Sequence, residues 1–207
     1  MCGRYVITKP VTKTTDLVKT NIKVENLDNY NAHPGQTLPI IKAYTNGRAL
    51  ESLEWGLKPD WAKNKKDFRP LINARLETLM EKLSFKNLIK TSKCIVIADG
   101  YYEWKKEGTS KSPYYFTRED KDLMFFAGIY EKNQFCIITK EAQDNVKEVH
   151  NREPVIINQS QLINYLNVKK DGYELLQSLK PPKLNYHPIS KDVNNPTNND
   201  PVLINKV

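Results

Sequence analysis

The 207-residue chain contains only three cysteines, Cys2, Cys94 and Cys136, and no pair of them has CxxC spacing. An odd number of widely separated cysteines argues against a disulfide framework. Scarce, unpaired thiols favour a reducing, cytoplasmic compartment. Any cysteine with a chemical role is therefore expected to act as a free thiol.

The chain also lacks a long apolar run and a signal-peptide pattern. Its first five residues contain no apolar h-region, and its longest apolar runs, such as residues 124–130, fall far short of the ~18 residues that a membrane span needs. No internal repeat or clear linker divides the sequence. We predict one soluble domain over residues 1–207 with no membrane contact.

Arginine is scarce although the chain is basic. Lys and Arg number 32 against 24 Asp and Glu, a formal net charge of +8 with a pI near 9.2, yet only six of the 32 are arginine. A positive balance favours a polyanionic partner such as nucleic acid, although high lysine content can also serve solubility alone. Because a planar guanidinium suits phosphate well, the few arginines are candidate phosphate contacts.

Short apolar segments predict a protein built mainly from antiparallel strands. Segments 38–44 and 49–55 flank Asn46-Gly47, a strong hairpin signal, and segment 94–98 should be a buried central strand. Segments 114–117, 123–130 and 134–139 indicate a three-stranded meander. We further predict a helix starting at Thr15, a loop over residues 29–36 and an extended tail from Asn185. The expected fold class is α+β, with a curved or barrel-like sheet and short flanking helices.

Cys2 gains a second nucleophile if Met1 is removed. It then carries an α-amine and a thiol on adjacent carbons, with ordinary pKa values of about 7.7–8.0 and about 8.5. The amine can condense with an aldehyde to a Schiff base, which the thiol closes to a five-membered thiazolidine. Alternatively the thiol attacks an acyl group, with the amine as base. A structural thiol buried beneath the first strand is the third possibility.

Three polar residues in or beside apolar segments can assist such a nucleophile. Glu103 stands between Tyr102 and Trp104, so burial can raise its pKa and fit it for general acid or base work. Asn73 and His150 supply an amide and an imidazole. Each also has a structural interpretation: Asn73 as a core amide, Glu103 as an ion-pair partner and His150 as a helix-terminal histidine.

A basic loop follows Trp61. It contains a single acidic residue, Asp67, among Lys63, Lys65, Lys66 and Arg69. Bases stack on aromatic rings while cations follow the phosphates, so the loop suits single-stranded nucleic acid. A solvated loop with Trp61 packed inward is the alternative.

Six segments, in their order along the chain, resemble the SOS-response-associated peptidase (SRAP) family, the abasic-site processing proteins that crosslink to single-stranded DNA. They are Met1-Cys2-Gly3-Arg4-Tyr5, Tyr30-Asn31, Trp55-Gly56-Leu57, Asn73-Ala74-Arg75-Leu76-Glu77-Thr78, Asp99-Gly100-Tyr101-Tyr102-Glu103-Trp104 and His150-Asn151-Arg152-Glu153-Pro154. The asparagine-rich tail is also similar to the family's ending. The resemblance implies a single SRAP-like domain.

The resemblance implies a role for each matching residue of the site. Cys2, after loss of Met1, matches the residue that forms a thiazolidine with the ring-opened aldehyde of an abasic deoxyribose. Asn73 matches the asparagine that positions the amine and the sugar, and Glu103 the glutamate that promotes ring opening and proton transfer. His150 matches the histidine that handles protons on the opened sugar and supports crosslink reversal. Schiff-base lyase activity and autocatalytic removal of Met1 are also implied.

The resemblance also implies the partner. Abasic sites in single-stranded DNA are the expected target, with no metal and no cofactor. Arg4, Arg75 and Arg152 match arginines that face the DNA backbone. Asn31 is a further candidate DNA contact, and Trp61 can act as a wedge in the gap left by the missing base. We expect a monomer in the cytoplasm, associated with the nucleoid in a bacterium.

Three residues depart from the family's pattern. Leu76, Lys93 and Glu153 stand where a small residue, an arginine and a methionine are usual. Because Leu76 and Glu153 flank the site rather than supply its chemistry, altered packing or DNA preference is expected rather than lost activity. Two other functions stay open. An N-terminal cysteine amidohydrolase also begins Met-Cys-Gly, although its expected Gly-His-x-Arg-like segment is absent from this sequence. The other is a noncovalent single-stranded DNA-binding module in which Cys2 is structural.

Overall fold

A computed structural model describes residues 2–18, 21–45, 47–62 and 64–207, and within these ranges twelve strands form two sheets. The first sheet holds β1 (Tyr5–Ile7), β2 (Asn29–Ala32), β7 (Gly100–Glu107), β8 (Ser110–Arg118) and β12 (Leu184–Pro188). Its spatial order is β12-β8-β7-β1-β2, and all neighbouring strands are antiparallel.

The second sheet closes on itself. It holds β3 (Thr37–Tyr44), β4 (Gly47–Trp55), β5 (Asn73–Arg75), β6 (Lys93–Ala98), β9 (Met124–Glu131), β10 (Gln134–Glu141) and β11 (Arg152–Pro154). Because β10 pairs with both β4 and β9, strands β10-β4-β3-β6-β9 form a ring. The second half of β10 pairs with β5 and β11. The α+β class with a curved, barrel-like sheet is thus confirmed.

Short helices flank the sheets. The α-helices are α1 (Pro10–Lys13), α2 (Leu83–Lys86), α3 (Leu88–Thr91), α4 (Gln159–Leu166) and α5 (Gly172–Ser178), and the 3₁₀ helices are Asp60–Ala62, Leu76–Thr78, Asp144–Glu148, Lys191–Asn194 and Pro201–Ile204. None of the helices in the described ranges has the length and apolar character needed to cross a bilayer.

The chain's first strand is an inner strand of the first sheet. It lies between β2 and β7, with Val6 opposite Gly100. A Cβ on Gly100 would lie 2.4 Å from the carbonyl oxygen of Phe116 in β8, so glycine is needed there for β7 and β8 to pack. Asp99 fastens the end of β1 by accepting hydrogen bonds from the backbone N–H and hydroxyl of Thr8, at 2.7 and 2.8 Å. These contacts place the N-terminal residues beside β7.

Two local predictions are confirmed. Strands β3 and β4 form the predicted antiparallel hairpin, with Tyr44 opposite Gly47, although the turn residue Asn46 lies outside the described residues. Every residue of β6 is buried, and β6 lies between β3 and β9. Both features depend on local sequence signals, which explains why they could be predicted.

The predicted three-stranded meander is wrong for its first strand, β8, whereas its last two strands, β9 and β10, are antiparallel neighbours as predicted. Strand β8 pairs with β7 and β12, whereas β9 pairs with β6 and β10 in the other sheet. The two strands differ in burial: residues 124–129 of β9 are all buried, as in β6, while β8 has partly exposed positions. A strand that is buried on both faces is expected to be one of the strands that form the closed ring. The local pattern of apolar residues does not specify which strand it pairs with.

Three further predictions are corrected. The first helix begins at Pro10 rather than Thr15, with proline at a first-turn position that needs no N–H donor. The predicted loop over residues 29–36 includes β2, whose pairing with β1 is nonlocal. The tail is not simply extended, because β12 is followed by two 3₁₀ helices that pack on the first sheet.

Candidate active site

Cys2 lies just before β1 and is fully buried. Tyr5 is opposite Tyr101, and the N–H of Tyr102 donates to the carbonyl of Arg4 at 3.0 Å, so the chain start continues alongside β7. Burial raises the pKa of the Cys2 thiol well above its ordinary value, and the nearby Glu103 charge adds to this. Burial is equally expected of a structural thiol, so a chemical role for Cys2 depends on the groups that surround it.

Asn73 reaches Cys2 from the second sheet. Parallel pairing with β10 positions the three residues of β5, and the indole N–H of Trp55 holds the preceding carbonyl, that of Ile72, at 2.9 Å. The Asn73 side-chain Nδ2 donates to the Cys2 carbonyl at 2.9 Å. Its Oδ1 is buried and has no hydrogen-bond partner among the described residues. Asn73 therefore offers one buried acceptor beside the chain start.

Glu103 is a buried carboxyl on the inward face of β7. Its neighbours Tyr102 and Trp104 project to the opposite face, where they pack against the tail. Glu103 is 2% exposed, and burial raises its pKa from 4.5 to about 7. At neutral pH both protonation states are therefore populated, as a general acid or base requires.

His150 faces Glu103, with 3.8 Å between its Nδ1 and the Glu103 Oε1. The His150 Nδ1 lies 3.1 Å from the backbone nitrogen of Arg152 and 3.3 Å from the Arg152 carbonyl oxygen, so it accepts from the N–H in the Nε2–H tautomer and donates to the carbonyl in the Nδ1–H tautomer. Burial lowers the pKa of His150, and the positive charges of Lys111 and Arg152 act in the same direction. The imidazole is thus neutral at neutral pH.

The four predicted catalytic side chains meet where the two sheets join. Cys2 precedes β1 and Glu103 lies on β7, while Asn73 and His150 come from β5 and the segment before β11. Together they provide a thiol, an amide, a carboxyl of near-neutral pKa and a neutral imidazole. In the described part of the chain, no group of three or more His, Cys, Asp or Glu side chains is arranged to hold a metal ion.

Arg4 and Asn31 contact the C-terminal tail. Arg4 Nη1 donates to the Asn31 Oδ1 at 2.7 Å and to the Val193 carbonyl at 2.8 Å. Asn31 is 1% exposed, and its Nδ2 lies 3.3, 3.0 and 2.9 Å from the carbonyls of Val193, Asn195 and Asn198. These two side chains fasten the tail to the first sheet, and their predicted contact with DNA stays a prediction.

Trp61 and Arg75 are both exposed. Trp61 is 56% exposed, with its ring edge-on to Phe68 at 5.3 Å and the Lys65 Nζ 4.9 Å from its centroid. The alternative in which Trp61 packs inward is therefore wrong. Lys63 of the same loop lies outside the described residues. Arg75 is exposed two residues after Asn73, and DNA binding by either side chain stays a prediction.

Arg152 lies beside the site in a paired state. Its guanidinium donates twice to Glu77, at 2.9 and 3.0 Å, and once to the Thr139 carbonyl at 2.9 Å. Sequence reasoning assigned no role to Glu77 or Lys111. Glu77 stands only four positions after Asn73, which was a usable signal, whereas the proximity of Lys111 to His150 arises from the β7–β8 hairpin.

The three departures from the family pattern have packing roles. Leu76 is in the core, and Glu153, which follows Arg152 on the other face of β11, is buried with the Lys140 Nζ 3.3 Å away. Lys93 is also buried, and its ammonium donates to two backbone carbonyls beyond the end of α4, at 2.9 and 2.8 Å.

Comparison with known proteins identifies relatives over the whole chain. Residues 1–196 match the model of the family described as SOS response associated peptidase (SRAP). The "Abasic site processing protein YoqW" of Bacillus subtilis is 36% identical over 99% of both chains, and the "Abasic site processing protein YedK" of Escherichia coli is 29% identical over 100% of both. A crystal structure of a Bacteroides thetaiotaomicron protein superposes with a TM-score of 0.85 over 100% of both chains, at 25% identity.

Proposed function

Because this chain belongs to the SOS response associated peptidase (SRAP) family, we propose that it senses abasic sites in single-stranded DNA and crosslinks to them through Cys2 after loss of Met1. The names of its relatives, abasic site processing proteins, support the substrate class. The observation that carries the proposal is the convergence of Asn73, Glu103 and His150 on the chain start. Met1 itself lies outside the described residues.

In the first proposed step an imine forms. An abasic sugar is a closed hemiacetal in equilibrium with its aldehyde, and proton transfer accelerates opening. The Cys2 amine attacks the aldehyde carbon, a C–N bond forms and water leaves. Glu103, with a pKa of about 7, takes the amine proton and returns one to the departing hydroxyl. The Asn73 Oδ1 is an acceptor that can orient the amine.

In the second proposed step the thiol closes the ring. The Cys2 sulfur adds to the imine carbon, an S–C bond forms and the thiol proton passes to nitrogen, which gives a thiazolidine. Burial keeps the thiol protonated until that transfer. Ring closure removes the imine, from which β-elimination would cleave the DNA strand. Lyase activity therefore competes with crosslinking only before the ring closes. His150 moves protons on the opened sugar oxygen and assists reversal.

The surface beside the site favours a polyanion. Lys106 and Lys111 lie directly opposite each other in the β7–β8 hairpin, and like charges in that position are destabilising unless they are neutralised. Lys111 is also close enough to lower the pKa of His150. A DNA backbone there would neutralise the pair. We infer that the protein acts as a cytoplasmic monomer. Its proposed DNA contacts are Arg4, Asn31, Trp61, Arg75 and Arg152.

An oligonucleotide with one abasic site tests the proposal. After incubation, denaturing electrophoresis should show a shifted band that Cys2→Ala abolishes. Cys94→Ala, which removes another buried free thiol, is the matched control and should keep the band. A band of equal strength from Cys2→Ala would overturn the thiazolidine mechanism, and an intact mass short of one methionine tests the processing step.

Two other functions give different results. A noncovalent single-strand binding module gives no denaturant-resistant band, and its log K falls by about 0.7 per phosphate contact per decade of salt. An N-terminal cysteine amidohydrolase releases ammonia from glutamine. The proposed function predicts a covalent band and no glutamine hydrolysis.

A further inference from the structure

Glu77 joins the two segments that carry Asn73 and His150. Its carboxylate accepts two parallel hydrogen bonds from Arg152, Nη1 to Oε1 at 2.9 Å and Nη2 to Oε2 at 3.0 Å. Oε1 also accepts from the backbone N–H of Glu141 at 2.9 Å. A bidentate pair of this kind fixes orientation as well as distance. We call Glu77 and Arg152 the clamp.

The clamp spans three strands. Strand β5, which carries Asn73, pairs with β10 through three residues, and β11, which starts at Arg152, pairs with β10 through three more. A pairing of three residues contains few backbone hydrogen bonds. The backbone alone therefore fixes the positions of β5 and β11 relative to each other only weakly. The clamp adds a side-chain connection across β10, and the bond to the Glu141 N–H ties it to that strand.

Arg152 connects the clamp to the imidazole of His150. Its backbone nitrogen and carbonyl oxygen lie 3.1 and 3.3 Å from the His150 Nδ1, while its guanidinium is held by Glu77 and by the Thr139 carbonyl at 2.9 Å. The donor to one imidazole nitrogen decides which nitrogen carries the proton. Movement of Arg152 therefore changes both the orientation of the ring and its tautomer.

We propose that Glu77 is a positioning residue for the crosslinking reaction, which holds Arg152 and, through it, the His150 ring at a fixed distance from Asn73 and Cys2. The kinetic part of this inference rests on the proposed function, whereas its structural part concerns the free protein. Glu77 acts through the clamp and contributes no proton or nucleophile of its own.

The clamp is placed to control geometry rather than global stability. The Glu77 side chain is 46% exposed and that of Arg152 13%, and partly solvated ion pairs contribute little to folding. A small displacement of a group that handles protons can slow a reaction strongly. A Glu77 variant should therefore fold and react slowly.

The kinetic test compares single-turnover crosslinking at saturating abasic DNA. Glu77→Gln should react about tenfold to a hundredfold more slowly than wild type, and Glu77→Asp, which keeps the carboxylate, should recover part of the rate. In an Arg152→Ala background, Glu77→Gln should add no further loss, because coupled residues are not additive. Glu141→Gln is the matched control, since its contact with the clamp uses the backbone N–H.

The structural test needs no DNA. The chain has three histidines, so the ring nitrogens of His150 can be resolved by ¹⁵N NMR of the free protein. Wild type and Glu141→Gln should show the same proportion of the Nε2–H and Nδ1–H tautomers, and Glu77→Gln should shift that proportion. A structural glutamate without a positioning role would leave this signal unchanged.

Each outcome decides the inference. A folded Glu77→Gln with wild-type rate and tautomer overturns it, and so does an additive rate loss in the double variant. If Glu77→Gln does not fold, the same measurements on Glu77→Asp decide. If wild type forms no crosslink, the proposed function fails, and the tautomer measurement alone settles whether Glu77 positions His150.

Discussion

Replacing Glu103 by glutamine is expected to make the protein more stable in alkaline solution and slower in crosslinking. The carboxyl is 2% exposed, and burial raises its pKa from 4.5 to about 7. Glutamine has nearly the same shape but does not ionise. The variant therefore removes both the proton-transfer group and the unfavourable burial of a negative charge.

The direction follows from proton linkage. Because the folded-state pKa lies above the unfolded value, the carboxyl's contribution to stability is fully present below about pH 4.5 and is lost as the pH rises through about 7. The gap of about 2.5 pH units between these values, at about 1.4 kcal/mol per unit, gives an upper bound between about 3 and 4 kcal/mol. Because glutamine does not ionise, the free energy of unfolding of Glu103→Gln lacks this decrease.

Urea unfolding at about pH 5 and about pH 9 measures the effect. Between these values, the free energy of unfolding of wild type should fall relative to Glu103→Gln by up to about 3 kcal/mol. The crosslinking rate of the variant should fall about a hundredfold, within the range of general acid–base catalysis. Noncovalent DNA affinity should be largely unchanged. Glu107→Gln, an exposed position on the same strand, is the control and should alter neither quantity.

The reasoning is refuted by a specific pair of results. If Glu103→Gln and wild type lose stability in parallel as the pH rises, the carboxyl does not titrate with a raised pKa. If the crosslinking rate is also unchanged, Glu103 is structural.

Two other substitutions separate tail packing from DNA binding. Asn31→Ala removes an amide that contacts three tail carbonyls and the Arg4 guanidinium, although the Val193 carbonyl keeps Arg4 and the Asn195 carbonyl keeps the N–H of Asn198 as donors. Unfolding in urea should therefore show a loss of about 2–3 kcal/mol; a stability within error of wild type would mean that the tail is held by other contacts. Trp61→Ala should weaken noncovalent binding of single-stranded DNA by about 1–3 kcal/mol per stacked base, measured by fluorescence anisotropy, with no change in unfolding. Unaltered binding by Trp61→Ala would exclude its ring as a stacking platform or wedge.

Much of the candidate site could be predicted because its residues break local patterns. Glu103 interrupts an aromatic segment, Asn73 follows an apolar one, and Cys2 sits at the chain start. The order of six segments then identified the family. By contrast, nothing local marks Arg4 or Asn31 as partners of the tail, since the carbonyls they bind come from residues more than 160 positions away.

The sequence by itself determined the chemistry that is available and the local elements, including the β3–β4 hairpin and the buried strand β6. It did so because turn residues and runs of apolar residues act over a few positions. Only the tertiary structure decided which strands pair, that β1 lies beside β7, and that Glu77 binds Arg152. The raised pKa of Glu103 belongs to this second group, because burial is produced by the packing of the whole chain rather than by its neighbours in sequence.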